Sequence, residues 1–258
     1  GYVTGPTGIA AKSLGIPLVI HEQNAVAGMS NRWLSRFANR VLAAFPSAFD
    51  AGQAELVGNP VRQSVIDIAT RDVSTPVNML VVGGSLGAQV LNQTLPSAFK
   101  ALNKTSAINV WHQTGKGHLN SVEQAYKTHM FESDNVKVAE FIDDMDAAYA
   151  WADIVICRAG ALTVSEIAAA GKMAVFVPFP HAVDDHQTAN AQYLVEADGA
   201  LLMQQRAFNE QSIVALLTPY LVNPSLINKM ANNAKKQAIL DATASVAAHC
   251  EQVSNKRA

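Results

Sequence analysis

The chain has 258 residues, 49% of them hydrophobic, and a formal net charge of −2. That length fills one large domain or two ordinary ones. The balanced charge excludes the global basic field that draws a chain to nucleic acid, and it excludes an acidic tail.

The opening stretch, "GYVTGPTGIAAKSLG", is rich in turn formers and starts on Gly1. It leads us to expect that an N-terminal part is missing. Residues 1–60 hold three strand candidates, 16–20, 40–45 and 54–58, with a helix at 29–39 among them. A parallel sheet this small cannot be covered on both faces by its own helices, so it reads as the second half of an α/β domain. Residues 59–76, "NPVRQSVIDIATRDVSTP", carry prolines at both ends, and 61–76 read as a linker.

From Val77 to about residue 240 the pattern is regular. Short apolar runs at 77–82, 107–111, 135–139, 153–157, 173–177 and 200–203 read as strands. Helical patterns at 86–101, 121–130, 144–151, 163–170 and 186–197 lie between them. Fully apolar strands alternating with helices mean a parallel sheet covered on both faces, and six such strands make a Rossmann-like unit. The chain is helical after about 205, and the last helix, within 241–258, is expected to pack back on the first unit. No run of eighteen apolar residues and no signal peptide is seen. Cys157 and Cys250 make neither a CxxC nor a zinc spacing, which fits a reducing, cytoplasmic setting. Cys157 ends an apolar strand and reads as a small hydrophobe.

Ligands of open parallel sheets bind beyond the carboxyl ends of the strands. Four segments in the second unit follow strands. In "VVGGSLGAQVLNQ" (81–93) a strand meets Gly83, Gly84 and Ser85, and a helix is expected from near Leu86. Such a turn lets backbone approach a phosphate, and the helix N-terminus favours the anion. It is not G-x-G-x-x-G, and no acidic residue occurs between Asp72 and Glu123 to hold an NAD ribose. In "QTGKGHLNS" (113–121) the Walker spacing fails, because position 110 is Val and Lys116 is followed by Gly.

The third segment, "CRAGALTVSEIAAAG" (157–171), places Thr163 and Glu166 at capping-box spacing after a glycine turn. Glu166 either caps its own helix or takes a ligand, and spacing by itself favours the cap. The fourth, "PFPHAVDDHQTANAQ" (178–192), gathers His181, Asp184, Asp185, His186, Gln187 and Asn190. The two histidines are five apart across a loop, a poor fit to a metal site; a neutral, hydroxyl-rich ligand suits the set better. In the first unit, "HEQNAVAG" (21–28) follows a strand. "VGNPVR" (57–62) sets Arg62 at the linker, where it either is solvated or meets a phosphate.

Taken in order, "GYVTGPTGIAA", "HEQNAVAG", "VGNPVR", "VVGGSLGAQVLNQ", "WHQTGKGH", "EFIDDM", "CRAGALTVSEIAAAG" and "DDHQTANA" resemble the MurG family over essentially the whole chain. MurG enzymes transfer N-acetylglucosamine from UDP-GlcNAc to lipid I. The resemblance implies a GT-B fold, with two Rossmann-like domains facing a cleft and the first incomplete here. It implies that residues 77–240 bind UDP-GlcNAc and that 1–60 serve the acceptor and membrane side. By the same resemblance Glu166 holds the uridine ribose, and Phe141 and Ile142 meet the uracil. Ala161, Leu162, Thr163, Val164 and Ser165 line the sugar and diphosphate. Ser85 and Arg62 contact the diphosphate, and Gln187 and Asn24 the N-acetylglucosamine. No metal and no cofactor is implied.

The family's usual base is a histidine in an earlier glycine-rich loop, which this chain does not contain. His21 and Glu22 are the weaker candidates within it. The chain alone is therefore expected to bind UDP-GlcNAc weakly and to turn over little. The resemblance implies peripheral attachment to the cytoplasmic face of the inner membrane. Arg32, Arg36 and Arg40 with Trp33 offer a basic, aromatic stripe for an anionic leaflet, or simply a solvated helix face. Two other readings stand beside this one: a different UDP-GlcNAc enzyme of the same fold, such as a 2-epimerase, and a non-catalytic UDP-sugar-binding fragment.

Overall fold

The computed structural model describes residues 3–129, 135–180 and 185–255. Two all-parallel sheets organise them. The smaller has the order β1 (Val19–Glu22), β2 (Arg40–Ala43), β3 (Glu55–Leu56). Helix α1 (Thr4–Ser13) packs on α2 (Met29–Leu34) beside it. The expected turn-rich opening is thus a helix. Its Pro6 falls in the first turn, where a missing N–H costs nothing. Its Gly8 is buried against Leu34, so closely that a Cβ would lie 2.4 Å from a Leu34 methyl. The expected strand at 16–20 also sits later, because pairing with β2 recruits His21 and Glu22 and leaves Ile16 and Pro17 outside.

The larger sheet contains β4 (Val77–Val82), β5 (Ile108–Gln113), β6 (Val136–Ala139), β7 (Ile154–Cys157), β8 (Met173–Phe176) and β9 (Ala200–Leu202). Their spatial order is β6-β5-β4-β7-β8-β9. Renumbered from β4 this is 3-2-1-4-5-6, the Rossmann order, whose switch point lies between β4 and β7. β7 and β8 are buried at every position, as their unbroken apolar runs require.

Helix α3 (Gln63–Ile66) lies within the linker stretch. Then come α4 (Gln89–Asn103), α5 (Leu119–Thr128), α6 (Met145–Trp151), α7 (Ala161–Ala170), α8 (His186–Val195), α9 (Glu210–Val222), α10 (Ser225–Lys236) and α11 (Ala242–Asn255). One core lies on the α4 and α9 side of the sheet, around Met79, Leu91 and Phe99. The other holds Leu80, Val155 and Ile167 together with Ala25, Ala44 and Phe45 of the small-sheet segment. The two units therefore share apolar packing; the Phe45 ring meets Tyr193 edge-on at 5.2 Å. Helix α11 returns to β1 and β2, with His249 Nε2 3.0 Å from Glu55 Oε1.

A buried polar chain fixes the end of β5. His112 bridges the Tyr126 hydroxyl at 2.8 Å and Asn92 Oδ1 at 3.0 Å, and Asn92 Nδ2 donates to the Thr114 carbonyl. Burial lowers the His112 pKa to about 3, so the ring is neutral in the folded protein. His112→Phe removes a buried hydrogen bond from both the Tyr126 hydroxyl and Asn92 Oδ1 and is expected to cost on the order of 3 kcal/mol, read as the shift of the urea midpoint. The sign of the pH effect follows from the same shift. The unfolded ring takes a proton below about 6.5 and the folded ring does not. This group's contribution is therefore complete above that pH and falls by about 1.4 kcal/mol per unit down to about pH 3. Below pH 6.5 the stability curve of His112→Phe should be correspondingly flatter.

Candidate functional site

The switch point gathers the strand-following segments. After β4, Gly84 and Gly87 close a turn (Gly87 N–H to Gly84 C=O, 2.9 Å) and α4 begins only at Gln89. Ser85 is thus exposed on a turn ahead of the helix, rather than at its N-terminus as the sequence suggested. Three loops lock together here. Gln113 Oε1 accepts from Gly84 N–H at 3.0 Å, and its Nε2 donates to the Gly84 and Glu140 carbonyls. Lys116 N–H reaches the Ser85 carbonyl.

Helix α7 starts at Ala161 on an extended Gly160. Thr163 is therefore the third helical residue, not the cap, and Glu166 lies in the second turn. This corrects the capping-box expectation: Gly160 sits at the N-cap with no side chain to offer. Glu166 instead turns towards α6. Its Oε2 accepts from the Tyr149 hydroxyl at 3.1 Å, and its Oε1 lies 3.7 Å from Arg62 Nη2. The same Arg62 nitrogen is 2.9 Å from Asp146. Burial, with Asp146 nearby, raises the Glu166 pKa, against the opposing pull of Tyr149 and Arg62. A half-buried acid with one neutral donor and one distant cation is poorly compensated, which suits a group kept for a ligand.

Phe141, just past β6, is exposed, whereas Ile142 packs into the second core. On the other side of the switch point a cleft of about 740 Å³ runs between Gly83, Leu86 and Gly87 on one wall and Arg158, Phe179 and Gln187 on the other. Gln187 Oε1 accepts from the backbone N–H of Ala159 and Phe179, tying the ends of β7 and β8 together. Arg158 anchors on the Val177 and Pro178 carbonyls, 5.5 Å from the Phe179 ring centre.

The small-sheet loops bond to the α7 and α8 segments. Ala25 N–H donates to Asn190 Oδ1 at 2.7 Å, and Asn190 Nδ2 reaches Asn24 Oδ1 and the Ala159 carbonyl. Asn59 bridges the Gln23 carbonyl and Ser165 Oγ. Glu22 accepts four hydrogen bonds, from the Asn24 N–H and Nδ2, the Gly28 N–H and Asn31 Nδ2. Those bonds occupy the lone-pair sites of the carboxylate and make it a clamp for its own loop, which argues against a base role. His21 Nε2 meets the Gly58 carbonyl at 2.9 Å, leaving Nδ1 as the basic nitrogen. The structure thus brings Arg62, Asp146, Tyr149 and Glu166 into one cluster, and Gln187 and Arg158 into the adjoining cleft. His181 and Asp184 lie outside the described residues. Among the described residues no group of three acidic, His or Cys side chains is placed to hold a metal.

Comparison with known proteins supplies the rest. The C-terminal domain model of glycosyltransferase family 28 matches residues 78–246, and its N-terminal domain model matches 1–43. The UDP-N-acetylglucosamine–N-acetylmuramyl-(pentapeptide) pyrophosphoryl-undecaprenol N-acetylglucosamine transferase of Pseudoalteromonas translucida is 81% identical over all 258 residues, which span 72% of that relative. The chain belongs to the MurG family. The crystal structure of Acinetobacter baumannii MurG matches with a TM-score of 0.87 at 43% identity, over 98% of this chain and 71% of that one. A Neisseria meningitidis UDP-GlcNAc 2-epimerase matches with a TM-score of 0.61 at 13% identity, over 95% of this chain and 72% of that one, a likeness of fold alone. The α/β architecture is therefore that of MurG and the GT-B glycosyltransferases.

Asp146, Tyr149 and Arg158 are not among the residues expected here from the sequence, although Asp146 and Tyr149 carry a readable signal. They are three apart on α6, a spacing that puts both on one helix face.

Proposed function

We propose that this chain is an inverting glycosyltransferase that moves N-acetylglucosamine from UDP-GlcNAc to the C4 hydroxyl of lipid I, giving lipid II and UDP. The 81% identity across the whole chain to a transferase of that name carries the reading. The carboxylate at the Rossmann switch point fits it chemically. Glu166 accepts hydrogen bonds from the two ribose hydroxyls, with Phe141 and Ile142 flanking the uracil. The start of α7 offers backbone N–H groups of Ala161, Leu162 and Thr163, unused by any cap, to the diphosphate. Val164 and Ser165 continue that wall. Ser85 serves the diphosphate from the opposite turn, and Gln187 and Asn24 read the sugar.

Arg62 is half exposed, so leaving its carboxylates for the diphosphate costs little. Its charge and the helix dipole then stabilise the leaving UDP as the glycosidic bond breaks. The acceptor hydroxyl attacks the face opposite UDP and loses its proton, so an α-linked donor yields a β-linkage. Product identity tests the reading, whatever the rate. Lipid-I-dependent UDP release, with labelled sugar recovered in lipid II, is the expected result. UDP-ManNAc formed without acceptor would contradict it.

The same reading includes peripheral attachment to an anionic, cytoplasm-facing leaflet. No described helix is long and apolar enough to cross a membrane. Exposed Val3, Ile9, Leu14, Ile16, Met29 and Trp33 all belong to the small-sheet unit, where Arg32 and Arg36 stand close by. The stripe is interrupted after α2, which ends at Leu34, and Arg40 opens β2. At about 1 kcal/mol per basic residue near the surface, Arg32→Ala/Arg36→Ala/Arg40→Ala should reduce co-sedimentation with phosphatidylglycerol liposomes by about two orders of magnitude at low salt. Unchanged binding would remove these arginines from the reading.

A further inference from the structure

We propose that the amino-terminal end of the large sheet, opposite the donor cleft, carries a second binding site for a singly charged oxyanion, a carboxylate or a phosphodiester. A cavity of about 340 Å³ opens there, lined by Thr70, Arg71, Asp153, Lys172, Asn228 and Asn232. Asp153 and Lys172 directly precede β7 and β8, whereas the donor cleft follows those strands, so the two sites are separate.

Lys172 is the reason to expect a ligand. Its residue surface is only 5% exposed, yet no described acceptor takes a hydrogen bond from its ammonium and no carboxylate pairs with it. The groups that normally justify a buried lysine are already served. Asp153 is 2.6 Å from Arg71 and accepts from the Asn78 N–H. The C-terminal carbonyls of α6 and α7 are met by Arg71, bonded to Trp151, and by Lys235, bonded to Ala169. The side chain is thus stripped of most of its water without gaining a partner, its remaining exposure opens on the cavity, and an oxyanion entering there offsets that desolvation. Asn228 spends its side chain on Val73 and Asp72, so Thr70 and Asn232 are the remaining polar groups for the ligand body. Asp72 and Asp153 share the cavity, and their repulsion disfavours a dianion, leaving a monoanionic head. Burial, with Arg71 and Lys235 nearby, lowers the Lys172 pKa to about 8 against the pull of Asp153, so a bound anion should be visible as a rise.

The test holds the donor site saturated with UDP and follows the Lys172 ε-methylene signal by NMR during pH titration, in acetate, dimethyl phosphate or chloride at equal ionic strength. One of the two oxyanions is expected to move the midpoint up by about one unit or more, with saturation, which is a tenfold preference for the charged lysine. Acetate alone would identify a carboxylate ligand, and dimethyl phosphate alone a phosphodiester. In parallel, Lys172→Met should lose the anion-dependent rise in Tm while still binding UDP as the parent does. Midpoints equal to those in chloride, or a Met variant that keeps the anion-dependent Tm rise, would overturn the proposal. Should the Met variant fail to fold, the NMR titration of the parent decides alone.

Discussion

Glu166→Gln is expected to weaken UDP binding by about 10- to 100-fold, measured by calorimetry near neutral pH. The estimate is the value of hydrogen bonds to an ionised acceptor, about 1.5–3 kcal/mol. Folding should change little, because the side chain caps nothing and its charge is destabilised by burial. The amide still accepts from the Tyr149 hydroxyl. The pH dependence has a definite sign. Ribose hydroxyls bind best to the ionised carboxylate, so affinity falls as pH drops through a pKa raised above the usual 4.5. The Gln variant should lack that break. A variant that melts far earlier but binds UDP normally would restore a purely structural role for Glu166.

Gly87→Ala is expected to have the second large effect, through the floor of the cleft. Gly87 has φ +74, and a Cβ built there falls 2.2 Å from the Thr114 carbonyl oxygen. Gly115 is its counterpart, with φ +80 and a Cβ position 2.1 Å from the Gly87 nitrogen. Backbone meets backbone at both places, so no side chain can give way. The left-handed conformation costs an L-residue about 1–2 kcal/mol and the forced separation a further 1–3. Either substitution should therefore cost about 2–5 kcal/mol in the urea midpoint and strip UDP affinity by separating the Ser85 turn from the 113–117 loop. Gly84→Ala is the control. Its φ is +82 but nothing lies within 4 Å of the added carbon, so it should show only the conformational cost.

The large sheet was legible because burial on both faces writes unbroken apolar runs. The segment 77–82 is a strand at just those bounds, and the remaining five strands occupy the expected places. Positions set by local signals were read less well. The opening helix is hidden behind turn-forming residues and is held by close packing of Gly8 on Leu34. Helix α4 starts three residues later than expected, because Gly84–Gly87 form a turn whose partner loop, 113–117, is distant in sequence. At Glu166 the Thr-x-x-Glu spacing is real but out of phase with the helix, which begins at Ala161, two residues before Thr163. The pairing of Glu166 with Tyr149 and Arg62 depends on α6, α7 and the linker meeting in space. Spacing within one segment cannot supply that.

The most direct measurement is a crystal structure of this chain with UDP bound. The ribose hydroxyls are expected within hydrogen-bonding distance of the Glu166 carboxylate, with the diphosphate over the first turn of α7. A nucleotide bound elsewhere, or one at the switch point with its ribose turned away from Glu166, would contradict this assignment.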